Sequence, residues 1–359
     1  MAGNSFGTLF KLTSFGESHG ELIGGVIDGC PAGLNLDVAR IQAKLDRRKP
    51  GQSGISSERK EEDLVRIHSG IFDGITTGTP IGFTILNKDN RSKDYAHLKD
   101  VYRPGHADYA YQAKYGLRDY RGGGRSSARE TAVRVVAGAI AEQILSVFNI
   151  EIRAFVQGVG KISLEKEVDW ESIPDSENNT VRCPDLKTAE KMKKLIESVR
   201  NEGDSTGGVI ECRIRGLFAG LGSPVFDKLN ALLAHAMVSI NAVKGVEFGS
   251  GFSSAAMKGS RYRDEFRIEG GEPKYSSNNS GGITGGISNG NELVFRVAFN
   301  PVTSIPKLAK ASNTSGESQS LSVQGRHDPC VVPRAVPVIE AMAAITVLDQ
   351  FLARRSDKI

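Results

Sequence analysis

Residues 127–148, SARETAVRVVAGAIAEQILSVF, constrain the fold more than any other stretch. As a helix this segment is apolar nearly all round, the mark of a helix buried on every side. Ser127 and Glu130 stand at capping-box spacing and predict a helix start at that point. A second mostly apolar helix is expected at 338–354, VIEAMAAITVLDQFLAR, entered after Pro337. Apolar stripes at 186–200 (Leu186, Ala189, Met192, Leu195, Ile196, Val199) and at 226–240 predict two more helices. Among these lie short runs, ELIGGVI, PIGFTIL, IEIRAFV, GVIECRIRGL and LVFRVAF, several alternating in polarity as antiparallel strands do. The expected class is α+β. No repeat of fixed period and no Pro-rich linker divides the chain, so residues 1–359 are expected to form a single domain. Three stretches, 49–63, 87–105 and 308–327, read as long loops.

The chain carries 46 basic and 42 acidic residues, a net charge of +4, so an electrostatic partner must be met by a local cluster rather than by the whole surface. Cys30, Cys183, Cys212 and Cys330 are far apart, with no CxxC pair and no metal-ligand spacing, which predicts reduced thiols, no metal and a cytoplasmic setting. No basic segment followed by an apolar run opens the sequence, and nowhere do about 18 apolar residues run together. Neither secretion nor a membrane span is expected.

Four stretches carry candidate chemistry. In DYRGGGRSSARET, residues 119–131, three glycines let a ligand lie against backbone, and the first N–H groups of a following helix, with Arg121, Arg125 and Arg129, make an anion site. A Gly-rich turn before an ordinary cap would look the same. The spacing is not GxGxxG and no β-like run precedes it, so a dinucleotide fingerprint is not supported. In SFGESHGELIGG, glycines on either side leave the His19 ring clear of bulky neighbours. In RPGHADY, the turn at Pro104-Gly105 delivers His106. In GRHDPC, Asp328 precedes a proline that biases its backbone to an extended form, with Arg326 and His327 beside it.

Together these segments resemble the chorismate synthase family, and the similarity runs over essentially the whole length. FGESHG, RPGHADY, YRGGGRSSARET, SINAVKGVE, SGGITGGIS and GRHDPC followed by AVPVIEAM all look like that family's signature segments, in order. The resemblance implies a β-α-β sandwich with helices between antiparallel sheets, assembled as a homotetramer. It implies conversion of 5-enolpyruvylshikimate 3-phosphate to chorismate by loss of phosphate and a C6 hydrogen, with reduced FMN required despite no net redox change. NADPH would enter only as a source of reducing equivalents, and, with no appended reductase domain visible, a separate flavin reductase is the expected supplier.

Residue by residue, the resemblance assigns His19 to the departing phosphate, His106 to protonation of the reduced flavin, and Asp328 to proton acceptance, with Ser18 and Ser127 in support. It assigns the flavin to Arg125, Ser126, Ser127, Asn241, Ala242, Gly285, Asn300, Pro301, Val302, Thr303, Ser304 and Arg326. A substrate with two carboxylates and a phosphate needs several cations, and bidentate arginine suits both groups; Arg48, Arg129 and Arg47 are the candidates. Two departures stand out: NPVTSI where members commonly carry a lysine and a Thr/Ser-rich run, and Gly54 where a second basic residue often stands, with Arg59 as the available substitute. Two other functions compete. A nucleic-acid module using RGGGR with nearby tyrosines would show repeated RGG units in a disordered tail, whereas this chain has one, abutting an apolar helix. A flavin-independent phosphate lyase would use the same arginines and histidines but work without flavin.

Overall fold

The computed structural model describes residues 3–52, 54, 55, 59, 61–89, 98–323 and 328–357. The described residues form helices α1 (Val38–Arg48), α2 (Asp108–Tyr115), α3 (Thr131–Ser146), α4 (Leu186–Asn201), α5 (Leu229–Val238), α6 (Gly259–Tyr262) and α7 (Val332–Ala353). Two five-stranded antiparallel sheets accompany them. One runs in the order Ser5–Phe6, Lys11–Gly16, Leu22–Asp28, Ile81–Leu86, Val65–Ile67. The other runs Ile162–Ser163, Glu151–Val159, Gly208–Arg215, Leu293–Phe299, Val243–Phe248. Alternation is cleanest in the last-but-one strand, where Leu293, Phe295, Val297 and Phe299 are buried and the residues between them are less so. The class is α+β, as the periodicities predict.

The apolar helices α3 and α7 pack on one another, α3 also against strands Lys11–Gly16 and Leu22–Asp28, α7 also against Glu151–Val159 and Gly208–Arg215. They come close at Gly138, where a Cβ would lie 2.3 Å from the Cα of Ala341. That contact explains a glycine inside a helix, where it costs about 1 kcal/mol relative to alanine. Helix α7 is long and apolar enough to cross a membrane, yet it is mostly buried in protein. Its two acidic residues are both matched: Glu340 pairs with Lys44 and Arg47 of α1, and Asp349 accepts the backbone N–H groups of Thr8, Leu9 and Phe10.

Several expectations are corrected. Helix α3 starts at Thr131; Ser127 caps a 3₁₀ turn, Ala128–Glu130, accepting from the N–H of Arg129 at 3.3 Å. The reciprocal capping-box bond is missing because the Glu130 carboxylate is taken by Arg134 Nε at 2.8 Å and the Ser14 hydroxyl at 3.2 Å. Helix α7 begins at Val332 and runs through Pro337 instead of starting after it. Proline deprives the carbonyl four residues earlier of its donor, and here that carbonyl, on Pro333, accepts from the Arg182 guanidinium instead. Within the expected loop 308–327, Ala309–Asn313 and Ser318–Leu321 pair as a hairpin, with Val101–Tyr102 from the loop at 87–105 as a third strand. The described residues of 49–63 remain without helix or strand. All four cysteines are buried and unpaired, and burial pushes Cys30 and Cys183 up to about 11.

Candidate active site

The glycine-rich stretch and the first histidine segment meet. The strand Lys11–Gly16 ends at Gly16, and the turn after it closes with Gly20 N–H donating to the Glu17 carbonyl at 3.1 Å. Ser18 is buried there, its hydroxyl 3.0 Å from His19 Nδ1. Against this ring lies Gly122, at φ +152°, where a Cβ would stand 2.3 Å from His19 Nδ1. The first glycine of RGGGR is therefore glycine for steric reasons: any side chain there would collide with the imidazole. The second histidine arrives by the Pro-Gly turn, with Gly105 at φ +69° and its carbonyl accepting from Thr303 Oγ1 at 3.0 Å.

His19 and His106 line one cavity of about 430 Å³ with Asp328, from the segment leading into α7. Arg48, the last residue of α1, and Arg129, in the turn before α3, form part of its wall, joined by Arg59, Arg103, Lys244 and Arg334. Among the described residues six cations thus face one lining carboxylate, so the cavity favours a multiply charged anion. Carboxylates set behind the wall hold the arginines in place. Asp63, fully buried and at φ +52°, bridges Arg48 Nη2 at 2.5 Å and Arg129 Nη1. Glu61 holds Arg59 at 2.6 Å. Burial alone would raise Asp63, but Arg48 and Arg129 override it and bring it down to about 2. Burial pulls Arg48 down to about 10, against Asp63 and helped by Arg334 and Arg129, leaving it charged at neutral pH.

Ser126, Ser127, Asn241, Ala242, Asn300, Val302, Thr303 and Ser304 also line this cavity. The Asn241 amide donates to the Ser126 carbonyl at 2.7 Å, while its buried Oδ1 has no partner among the described residues. Not every residue named from sequence is gathered in. Ser18 sits beneath His19; Arg125 lines an adjoining cavity of about 200 Å³ that shares His106, Gly123 and Ser126, its guanidinium tied to the Gly16 carbonyl and Ser14. Gly285 belongs to the Ile283–Ser288 hairpin, away from the described lining, and Pro301 turns outward to solvent. Arg47 is drawn away by Glu340 and Glu177. Arg326 lies outside the described residues. Asp328 is paired with Arg334, whose Nη1 donates to Oδ2. Arg334, Arg103, Lys244, Asp63 and Asp108 were not singled out from sequence. Arg103 and Asp108 had a local signal, flanking His106 in RPGHADY, and Lys244 lies within SINAVKGVE.

The chorismate synthase family model matches residues 10–352. The chain belongs to that family. Chorismate synthase from Christiangramia forsetii is 55% identical over 359 residues, covering 100% of both chains. That of Flavobacterium psychrophilum is 56% identical over 355 residues, covering 99% of each. A solved structure described as "Crystal Structure of Chorismate Synthase" superposes with a TM-score of 0.78 at 32% identity, covering 98% of this chain and 94% of that one. Every segment that carried the resemblance to chorismate synthase, from FGESHG to GRHDPC, falls within the matched range.

Proposed function

We propose that this chain forms chorismate by a reduced-FMN-dependent 1,4-anti elimination of phosphate from 5-enolpyruvylshikimate 3-phosphate. That it is a chorismate-forming lyase follows from its family; the cofactor and the residue roles are the further step. The carrying observation is one cavity that joins two histidines and an arginine-paired carboxylate to a cationic wall. The residues fit a flavin. The orphaned Asn241 Oδ1 is an acceptor awaiting a donor, as buried polar atoms are normally paired, and it stands beside the hydroxyls of Ser126 and Ser127 and the 300–304 segment. These residues would hold FMN, with Arg125, Arg326 and Gly285 as the further members that the family resemblance assigns.

When bound, reduced FMN would supply electron density to the substrate and an acceptor for the C6 hydrogen. The protein does the rest. Arg48 and Arg129, fixed through Asp63, pair with the anionic groups of the substrate, and bidentate geometry orients as well as binds. His19, backed by Ser18 and sharing the cavity with Ser127, donates a proton to the leaving phosphate. His106 holds the protonation of the reduced flavin. Asp328, paired with Arg334, accepts the proton given back. Reduction of the flavin is external, by a separate reductase drawing on NADPH. The rest of the reading is a cytoplasmic homotetramer whose subunit is one domain over 1–359, a β-α-β sandwich with α3 and α7 between the sheets; the core, continuous from residue 10 to residue 348, supports it.

The test is an anaerobic assay with chemically reduced FMN and no other protein. Chorismate should form only with reduced FMN present, and no flavin should be oxidised per turnover. Equal activity without flavin would favour the flavin-independent lyase, and one flavin consumed per product would refute the mechanism.

A further inference from the structure

Asp108, the first residue of α2, is buried, and the role given to His106 does not account for it. One of its oxygens, Oδ2, accepts from Arg103 Nε at 2.8 Å and from the Arg103 backbone N–H at 3.0 Å; the other, Oδ1, accepts from Arg103 Nη2 at 2.8 Å and lies 2.9 Å from His106 Nδ1. Arg118 stands 3.2 Å from the same Oδ1. The side chains of Arg103 and Asp108 are only 2% and 3% exposed. The same Arg103 Nη2 donates to the Gly122 carbonyl at 3.0 Å, and Gly122 is the residue pressed against His19. A single ion pair therefore touches the support of both rings in the cavity.

We propose that the buried Arg103–Asp108 pair positions both histidines, fixing neutral His106 as the Nδ1–H tautomer so that Nε2 is its working nitrogen and setting His19 through Gly122. An ionised carboxylate only accepts, so the ring nitrogen facing it must carry the hydrogen. Asp108 is ionised: burial opposes this, but hydrogen bonds from Arg103 and His106 hold it well below the usual carboxylate range. The proposal rests on reading the cavity as the active site, yet its main readout is independent of turnover.

The measurement is ¹⁵N NMR of histidine-labelled full-length protein at about pH 8, above the ordinary histidine pKa of about 6.5, with His106 assigned by its loss in His106→Gln. The wild type should show His106 protonated at Nδ1. In Asp108→Asn the two Arg103 donors at the Oδ2 position claim the amide oxygen, the NH₂ turns to Nδ1, and the tautomer inverts, with turnover falling roughly 10²–10⁴-fold. In Arg103→Lys the Gly122 carbonyl loses its guanidinium donor, so the His19 ring signals should shift. An Nε2–H tautomer in the wild type, an unchanged tautomer in folded Asp108→Asn, or unmoved His19 signals in Arg103→Lys would overturn the proposal. If Asp108→Asn does not fold, the wild-type tautomer and Arg103→Lys decide. An inverted tautomer with normal turnover would support the positioning and refute the catalytic role given to His106, so the two readings fail separately.

Discussion

Replacing Gly122 with alanine tests whether the glycine run exists to seat His19. The new methyl carbon would lie 2.3 Å from His19 Nδ1, 2.5 Å from its Cε1 and 3.1 Å from Ser18 Oγ. Non-bonded carbon contacts settle at about 3.5–4.0 Å, so the ring must retreat by roughly 1 Å, away from its 3.0 Å contact with Ser18. A displacement of that size at a reacting group costs about 10²-fold in rate, which is about 2.7 kcal/mol of activation free energy. Stability should fall as well. A non-glycine residue at φ +152° costs about 1–3 kcal/mol. With an unfolding entropy of about 2.1 cal/mol/K per residue, hence about 0.75 kcal/mol/K for this chain, that lowers the midpoint by roughly 1–4 °C. Gly124→Ala is the control, because φ is again positive at +52° but nothing lies within 4 Å of its Cβ; it should keep turnover within a few-fold. The assay is anaerobic chorismate formation with reduced FMN and saturating substrate, alongside thermal unfolding by circular dichroism. Turnover in Gly122→Ala within about threefold of wild type, or an equal loss in Gly124→Ala, would refute the reasoning.

Asp328→Asn keeps the shape beside Arg334 but removes the acceptor, so single-turnover rates should fall roughly 10²–10⁴-fold while FMN still binds; near-normal turnover would mean the wrong residue was assigned. Asp63 has a folded pKa of about 2 against about 3.9 unfolded. A depressed carboxyl contributes stability above the unfolded value and loses it as pH falls through the folded one. Urea midpoints of wild type and Asp63→Asn should therefore differ by a constant amount from about pH 7 to 5 and converge between about pH 4 and 2; a constant gap down to pH 2 would contradict this. Asp349→Ala strips the acceptor from three successive N–H groups at Thr8, Leu9 and Phe10, a loss of roughly 3 kcal/mol, and hydrogen exchange at those amides should accelerate. Unchanged protection there would show that another group holds the segment.

What could be read before the structure was known was whatever leaves a local or periodic trace. The runs LVFRVAF and IEIRAFV, the stripe of α4 and the all-round apolarity of α3 state their burial directly, and each became the expected element. The histidines were legible because Gly16, Gly20 and Gly105 mark the turns that present them. Residues whose role depends on distant partners were not. Asp63 and Glu61 sit in a polar loop that reads as solvated, and only the fold brings Arg48 and Arg129 onto Asp63. Arg334 lies in the first turns of an apolar helix, where nothing in sequence points it at Asp328. The start of α7 was misread because Pro337 is a helix-start signal unless something satisfies the carbonyl of Pro333, and that donor, Arg182, comes from another part of the chain.

The close seam between Gly138 and Ala341 also bears on how the protein comes into being. It joins segments about two hundred positions apart, and the later one, α7, completes a core to which both sheets contribute. Contacts of such separation are slow to form because chain closure must precede any gain from packing. Until α7 has left the ribosome, α3 lacks its largest apolar partner, and Asp328 and Arg334 are absent from the cavity. The nascent chain therefore passes through a long stage with an uncovered apolar helix, of the kind that recruits chaperones, and the ability to capture ligand arises only after synthesis of this last helix.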